Sequence, residues 1–295
     1  MAGAFSQSGT VAYVEAVMPV SGPTVVRRQL GRRLRALRDR AGKSMVDMAA
    51  TKIMSPAKLY RIEGGTTTVR ISDVWSLCRI YGCDDKTTDA LAALAAGTNG
   101  RGWWHDYGDI MPADFELYLG LEAAASAIRI YEPERVHGLF QTADYAREIE
   151  RATNITLRLG AETVERYVAL RMERQKTVFS RTPPCQIVAI LGAGALARTV
   201  GGSPVMAEQV ERLHELFQLD HVDIRVLPFS VGAHAAMLGA FAVMDFEDPD
   251  DPPVAYFETY SGARFLEQSG QLEQHRAVFQ AVYQQSTPIE EYEGR

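Results

Sequence analysis

The residues best placed to do chemistry are cations gathered in one stretch. Between positions 25 and 70 there are twelve Lys or Arg (Arg27, Arg28, Arg32, Arg33, Arg35, Arg38, Arg40, Lys43, Lys52, Lys58, Arg61 and Arg70) against three acids, Asp39, Asp47 and Glu63. That stretch carries +9 in a chain of net −6, so the remainder carries −15. A basic segment on an acidic body is the asymmetry expected when one part of a protein meets phosphate and the other does not. A solvated basic helix without a partner is the plain alternative from charge alone. Within the stretch, Leu59 and Ile62 can face a core, which leaves Ser55, Ala57, Lys58 and Arg61 outward on one short helix. In a major groove Arg61 could read guanine through two hydrogen bonds, and Ala57 could meet a thymine methyl. Lys43, Lys52 and Ser55 suit phosphates, which set register rather than sequence, and Ser44 completes the set.

Other constellations fall short of a site. The run 188–191 followed by Gly192-x-Gly194-x-x-Ala197 has the spacing of a dinucleotide fingerprint. Its helix would be cut by Gly201-Gly202-Ser203-Pro204, and the following strand carries Asp223 at its start rather than an acid at its end. His214-Glu215 is followed by Gln218 where a zinc-protease helix needs a second His. His234 has no Ser or Asp partner, and Glu247 with Asp248–Asp251 reads as a solvated acidic loop before Pro252-Pro253. The chain is therefore expected to be no enzyme, with no catalytic residue, cofactor or metal site. Cys78, Cys83 and Cys185 lack metal-ligand spacing and suit reduced thiols in a cytoplasm. The N-terminus lacks a basic signal region, and no apolar run approaches the roughly 18 residues of a membrane span.

These residues need elements to position them. The chain has 295 residues, 46% of them apolar and 23% charged, enough for two globular domains. Val26, Leu30, Leu34 and Leu37 recur at helical spacing and predict a helix over 25–41. Ser44 caps a short helix over 45–50, with Met48 and Ala49 inward. Ser55-Pro56 starts another that ends before Gly64-Gly65, and Ser72-Asp73 starts one over 74–81. A fifth helix covers 84–96. Residues 97–102 form a boundary, followed by helices over 114–129, 142–152 and 161–179, and Thr182-Pro183-Pro184 breaks the pattern. Strands are expected at 186–191, 222–227, 240–246 and 254–260, with helices at 205–219 and 272–285. The predicted class is α+β: an all-α five-helix domain, a helical segment, and a mainly antiparallel α+β domain. The expected limits are a flexible leader over 1–24, a DNA-binding domain over 25–97, a helical linker or regulatory segment over 98–181, and a sensing domain over 182–295.

Segment 43–65, ending Arg61-Ile62-Glu63-Gly64-Gly65, resembles the phage-repressor-like (XRE) helix-turn-helix regulators. That resemblance implies a pair between Glu63 and Arg38 of the first helix. It departs from the family in the turn, where Lys52-Ile53 replaces a frequent Leu-Gly pair, and at Met45, where a glutamine is common. Ile53 is expected to fill the apolar slot of the turn.

From Arg101 on, the chain is similar to the downstream domain of actinobacterial antitoxin-like transcriptional regulators. The likeness rests on Arg101-Gly-Trp-Trp-His-Asp-Tyr107, Leu121-Glu122, Gly138-Leu-Phe-Gln-Thr-Ala-Asp-Tyr-Ala-Arg147, Arg171-Met-Glu-Arg-Gln175, Arg225-Val-Leu-Pro-Phe229 with Gly232 and His234, and Tyr256-Phe-Glu258. It departs at His137, where a proline is usual, and at Ala193, near a usual acid. Such members are encoded beside a small protein that they bind or counteract. Trp103, Trp104 and Tyr107 form an aromatic cluster that could bridge domains, line a pocket or simply pack. With Gln141, Tyr145 and Arg147 they are the candidate ligand- or partner-binding residues, while Glu122, Arg171 and Arg174 are either an internal ion-pair set or a site. The reading is a cytoplasmic, homodimeric regulator on a double-stranded DNA operator, its second domain sensing a small protein or ligand. The alternative is an antitoxin-like protein that mainly sequesters a small partner.

Overall fold

The computed structural model describes residues 23–97, 103–153, 160–247, 251–259 and 262–293. Most of the expected leader and all but the first residue of the expected boundary lie outside them. Helix α1 (Pro23–Arg40) starts two residues inside that leader, with proline in its first turn, where no backbone donor is lost. Ser44 opens α2 (Met45–Ala50) through a capping box, in which its Oγ accepts from Asp47 N at 3.1 Å and the Asp47 carboxylate accepts from Ser44 N at 2.8 Å. Ser55 Oγ accepts from Lys58 N at 3.2 Å and opens α3 (Pro56–Glu63). Helix α4 (Ile71–Tyr81) begins three residues earlier than expected, because Arg70 rather than Ser72 is its N-cap and Asp73 is drawn to Lys58. Gly82, at φ +72°, closes it in the left-handed conformation that glycine adopts without strain. Asp84 accepts from Thr87 N at 2.7 Å, at the start of α5 (Asp85–Gly97).

The five helices enclose Leu30, Leu34, Met48, Leu59, Ile62, Val74, Leu77 and Leu91. Two expectations about this core need correction. Ala49 is exposed, since α2 has a single turn to bury and Met48 fills it. Ile53 stays 39% exposed while Met54 packs on the core. The residue with left-handed backbone in the turn is Lys52, at φ +57°, so the peptide direction reverses one position before Ile53.

Helix α6 (Ala113–Ala124) begins the second body. It stops five residues short of its expected end, because Ser126 N donates to Asp245 O at 2.8 Å and the chain enters strand β1 (Ala127–Glu132). Helices α7 (Ala143–Thr153) and α8 (Ala161–Phe179) cross over to β2 (Gln186–Gly192). The short α9 (Ala193–Ala197) and α10 (Ser203–Phe217) then lead to β3 (Val222–Leu227). Strands β4 (Phe241–Asp245), β5 (Val254–Thr259) and β6 (Gly262–Leu266) follow, then α11 (Ser269–Gln285) and the two-residue β7 (Thr287–Pro288). The order is β6-β5-β4-β1-β2-β3-β7. The β1–β2 and β2–β3 pairs are parallel and the other four antiparallel, so the sheet is mostly antiparallel, as expected, around a parallel centre.

Strand β1 corrects the expected division at 181/182. It pairs with β2 on one side and β4 on the other, and Ile128, Leu170, Ile187, Leu213 and Ile224 share one core. A separate helical segment over 98–181 would leave the sheet without its central strand. Helix α11 covers the opposite face through Leu272, Phe279 and Val282, against Tyr131, Ile190 and Val243.

The two bodies meet along α1, which packs against α6. Asp251, expected in a solvated loop, has a fully buried side chain that accepts from Arg32 at 2.5 Å and Gln29 at 3.2 Å. Arg28 donates to Glu267 at 2.8 Å and lies 5.4 Å from the Phe246 ring centroid.

Helix α1 also crosses the last turn of α3 closely. A Cβ on Gly31 would stand 2.4 Å from Ile62 O and 2.8 Å from Glu63 O, both backbone atoms. Gly31→Ala should therefore lower the stability of the five-helix domain by about 1–3 kcal/mol through overpacking. Urea melts followed by circular dichroism test this, and an unchanged midpoint would refute the close crossing.

Candidate nucleic-acid interface

The surface expected to meet DNA is built on α3. Leu59 and Ile62 are 1% and 0% exposed, so the opposite side of this two-turn helix faces solvent. Ser55, Ala57 and Arg61 lie on that side, as expected. Tyr60, 75% exposed, belongs with them and was missed. Its signal was present, since inward positions 59 and 62 leave both 60 and 61 outward at 100° per residue.

Lys58 departs from expectation. Its Nζ donates to both carboxylate oxygens of Asp73, at 2.8 and 2.7 Å, and its side chain is partly buried. It braces α3 against α4 and is a poor base reader. Ser44 is similarly committed, because its hydroxyl both accepts from Asp47 N and donates to the Asp47 carboxylate. Lys43 and Lys52 are exposed near the start of α2 and in the turn, where phosphates could be reached.

The implied pair between Arg38 and Glu63 is present, with Arg38 Nε and Nη2 donating to the two carboxylate oxygens at 2.7 and 2.9 Å. Arg38 Nη1 also donates to Lys43 O at 2.8 Å. The hydrogen bond to Glu63 raises the Arg38 pKa above its ordinary value. One guanidinium thus ties α1 to the end of α3 and to the approach of α2, and turns the acid of α3 inward. Arg28, Arg32, Arg38 and Lys58 all have acidic partners, so the cationic face of the domain is smaller than its sequence charge. Arg33, Arg35, Arg40, Lys43, Lys52, Arg61 and Arg70 are exposed, with Arg35 lying 3.9 Å from Asp39.

The six candidates in the second domain are not brought together. Trp103, Trp104 and Tyr107 lie on the single-turn segment Trp103–Tyr107. Trp104 is buried, meets Trp103 edge to face at 5.7 Å, and the other two rings lean on the core of the sheet domain. Gln141 and Tyr145 are fully buried and hold the backbone after β1. Gln141 Nε2 donates to Val136 O at 2.6 Å, and Tyr145 Oη accepts from Val136 N at 3.1 Å. Arg147 pairs with Asp144 and Glu165 on the α7–α8 surface. None of them lines the open cleft of about 410 Å³ beside α1, whose walls include Arg28, Arg32, Arg35, Glu63 and Glu267.

Of the possible ion-pair set, Arg174 and Glu122 form a buried two-point pair at 2.6 Å, with Tyr118 Oη donating to Glu122 at 2.8 Å. Arg171 instead donates to Glu150 and Gln141. His137 sits beside Arg174, Arg135 and Arg171, and desolvation followed by those cations lowers its pKa well below the ordinary value. Gly192 serves close packing, since a Cβ there would lie 2.5 Å from Pro133 O. Helix α9 behind it ends after five residues. His234 stands 3.5 Å from Tyr131 Oη. Burial pushes the thiols of Cys78 and Cys185 up to about 11 and about 12. No helix among the described residues is long and apolar enough to cross a membrane.

A helix-turn-helix domain model matches residues 29–91, which points the exposed α3 face toward DNA. A second model, described as Domain of unknown function (DUF5753), matches residues 115–291, more than half the chain. The chain belongs to the DUF5753 family. No curated protein and no solved structure matches it. The DUF5753 match begins within α6 and runs past β7, so it spans all seven strands and takes in β1.

Glu132, at the end of β1, gives the DUF5753 domain a testable pH response. Burial raises its pKa from 4.5 to about 7, against the opposing effect of Arg135 at 3.5 Å. The folded chain keeps this proton up to about pH 7 while the unfolded chain releases it near 4.5, so stability falls as pH rises between those values. Glu132→Gln should leave stability unchanged near pH 4 and raise it at pH 8 by on the order of 3 kcal/mol at most. Urea melts at the two pH values measure this, and a gain at pH 4 with none at pH 8 would contradict it.

Proposed function

We propose that this DUF5753 protein is a sequence-selective regulator of transcription that binds double-stranded DNA as a cytoplasmic homodimer, without catalysis. The observation that carries the reading is the state of α3. Its start is capped by Ser55, its end is clamped by Arg38 to Glu63, and Ala57, Tyr60 and Arg61 are left open to solvent. A rigid helix with one exposed side and no outward acid suits insertion into a major groove. Exposed Lys43 and Lys52 would set its register on phosphates. Two such helices about one helical turn apart would meet a pseudo-palindromic operator. The antitoxin-like resemblance adds a small protein encoded by a neighbouring gene as a partner.

In this reading the DUF5753 domain responds to a small partner protein. The support is a surface loop between β3 and β4, where Phe229 and Met237 are each 67% exposed and Leu238 is fully exposed. Large apolar side chains left in the open suit contact with another protein better than contact with water. The same loop supports the second reading, in which sequestering the partner is the main task. Tight co-purification with the neighbouring gene's product, without selective DNA binding, would favour that second reading.

Gel shifts on operators selected from random duplexes test the first. Arg61→Ala should cost about 1–3 kcal/mol at one base pair and relax selectivity there. Equal losses on all sequences would show that Arg61 contacts phosphate alone.

A further inference from the structure

Besides the packing of α1 on α6, polar contacts join the two bodies on one face of α1. Arg28, Gln29 and Arg32 lie within about one helical turn of each other. Arg28 is held by Glu267 and by the Phe246 ring, while Gln29 and Arg32 share the carboxylate of Asp251. Arg28 and Gln29 are 4% and 6% exposed, and the Asp251 side chain is 0% exposed. Charges desolvated to this degree fix one geometry, because sliding the surfaces would leave a buried carboxylate or guanidinium without its partner. The partners of Arg28, Gln29 and Arg32, which are Phe246, Asp251 and Glu267, flank β4, β5 and β6 at one edge of the sheet.

The other side of this joint is α3. A Cβ on Gly65 would stand 2.7 Å from Arg28 Cα, and one on Gly31 would meet the backbone of Ile62 and Glu63. Arg28 therefore bears on the residue just past the end of α3, while its head group bears on the sheet domain. The contact is with Gly65, beyond the C-terminal end of α3, and Ala57 and Arg61 remain exposed.

We propose that Asp251 and Glu267 are positioning residues for the DNA-reading helix. Through Arg28, Gln29 and Arg32 they hold α1, and with it α3, in a set orientation on the sheet edge. A displacement of that edge then turns the reading helix without touching the DNA surface. The proposal concerns the orientation of α3 and deepens the DNA-binding reading, yet its primary test needs no DNA.

Nitrogen-15 relaxation on the full chain measures the rotational correlation time of each body. The wild type should tumble with one correlation time. The isosteric double variant Asp251→Asn/Glu267→Gln should keep native chemical shifts in both cores, while the correlation time of the α1–α5 amides falls to about half that of the sheet. If that variant fails to fold, Glu267→Arg, at a carboxylate 44% exposed, should produce the same separation. One shared correlation time in the folded variant, or two in the wild type, overturns the proposal. Affinity for a random-sequence duplex gives a second reading. A salt dependence steeper by up to about two counterions, with a single correlation time kept, would mean that the carboxylates only mask Arg28 and Arg32. That result too would overturn positioning. An unchanged slope with separate tumbling supports it.

Discussion

A guanidinium and a carboxylate buried side by side, Arg38 and Glu63, hold the first domain to its shape. Two charges leave water to make this contact, and they recover the loss only because both carboxylate oxygens and a third acceptor, Lys43 O, are met at good distances. The pair removes the one acid of α3 from the surface. It ties the end of that helix to α1 and the entry of α2 to the same guanidinium. With Ser44 and Ser55 capping the two short helices, little freedom is left in the angle at which α3 is offered to solvent.

The cations of the domain divide their work accordingly. Arg38 and Lys58 brace helix to helix, Arg28 and Arg32 brace domain to domain, and exposed groups such as Arg61 and Lys43 remain for phosphate and base edges. Formal charge measures affinity for DNA poorly here, because a guanidinium paired with a carboxylate releases no counterion when DNA arrives. The −15 of the remainder is likewise partly committed, since Asp251 and Glu267 are acids turned toward the basic domain.

The DUF5753 body keeps its charges inside a different frame. The parallel centre β1-β2-β3 is crossed by helices on one face and covered by α11 on the other, which closes both faces to water. Glu122 with Arg174, and Arg171 with Glu150 and Gln141, then become internal struts between α6, α7, α8 and the chain after β1. Residues whose types suggested a ligand site are consumed by this packing. The apolar side chains left in the open lie instead on the β3–β4 loop.

Local chemistry was legible in the residues themselves. Ser-Pro starts, glycine stops and a 3.6-residue apolar period located four of the first five helices almost to the residue, and the Arg38–Glu63 pair followed from the motif. These features depend on neighbours within a turn or two of chain, and sequence records such neighbours. Partners far apart in the chain were decided only by the tertiary structure. Residues 127–129 end a run that reads as helical, yet 127–132 form a strand because β2 and β4 offer backbone partners on both sides. Trp104, Gln141 and Tyr145 look like site residues until the sheet core closes over them. Asp251 looks solvated until α1 brings Gln29 and Arg32 to it from more than two hundred residues away. In each case the deciding energy is burial or pairing with a group distant in sequence, and neither the period nor the charge of a segment carries that information.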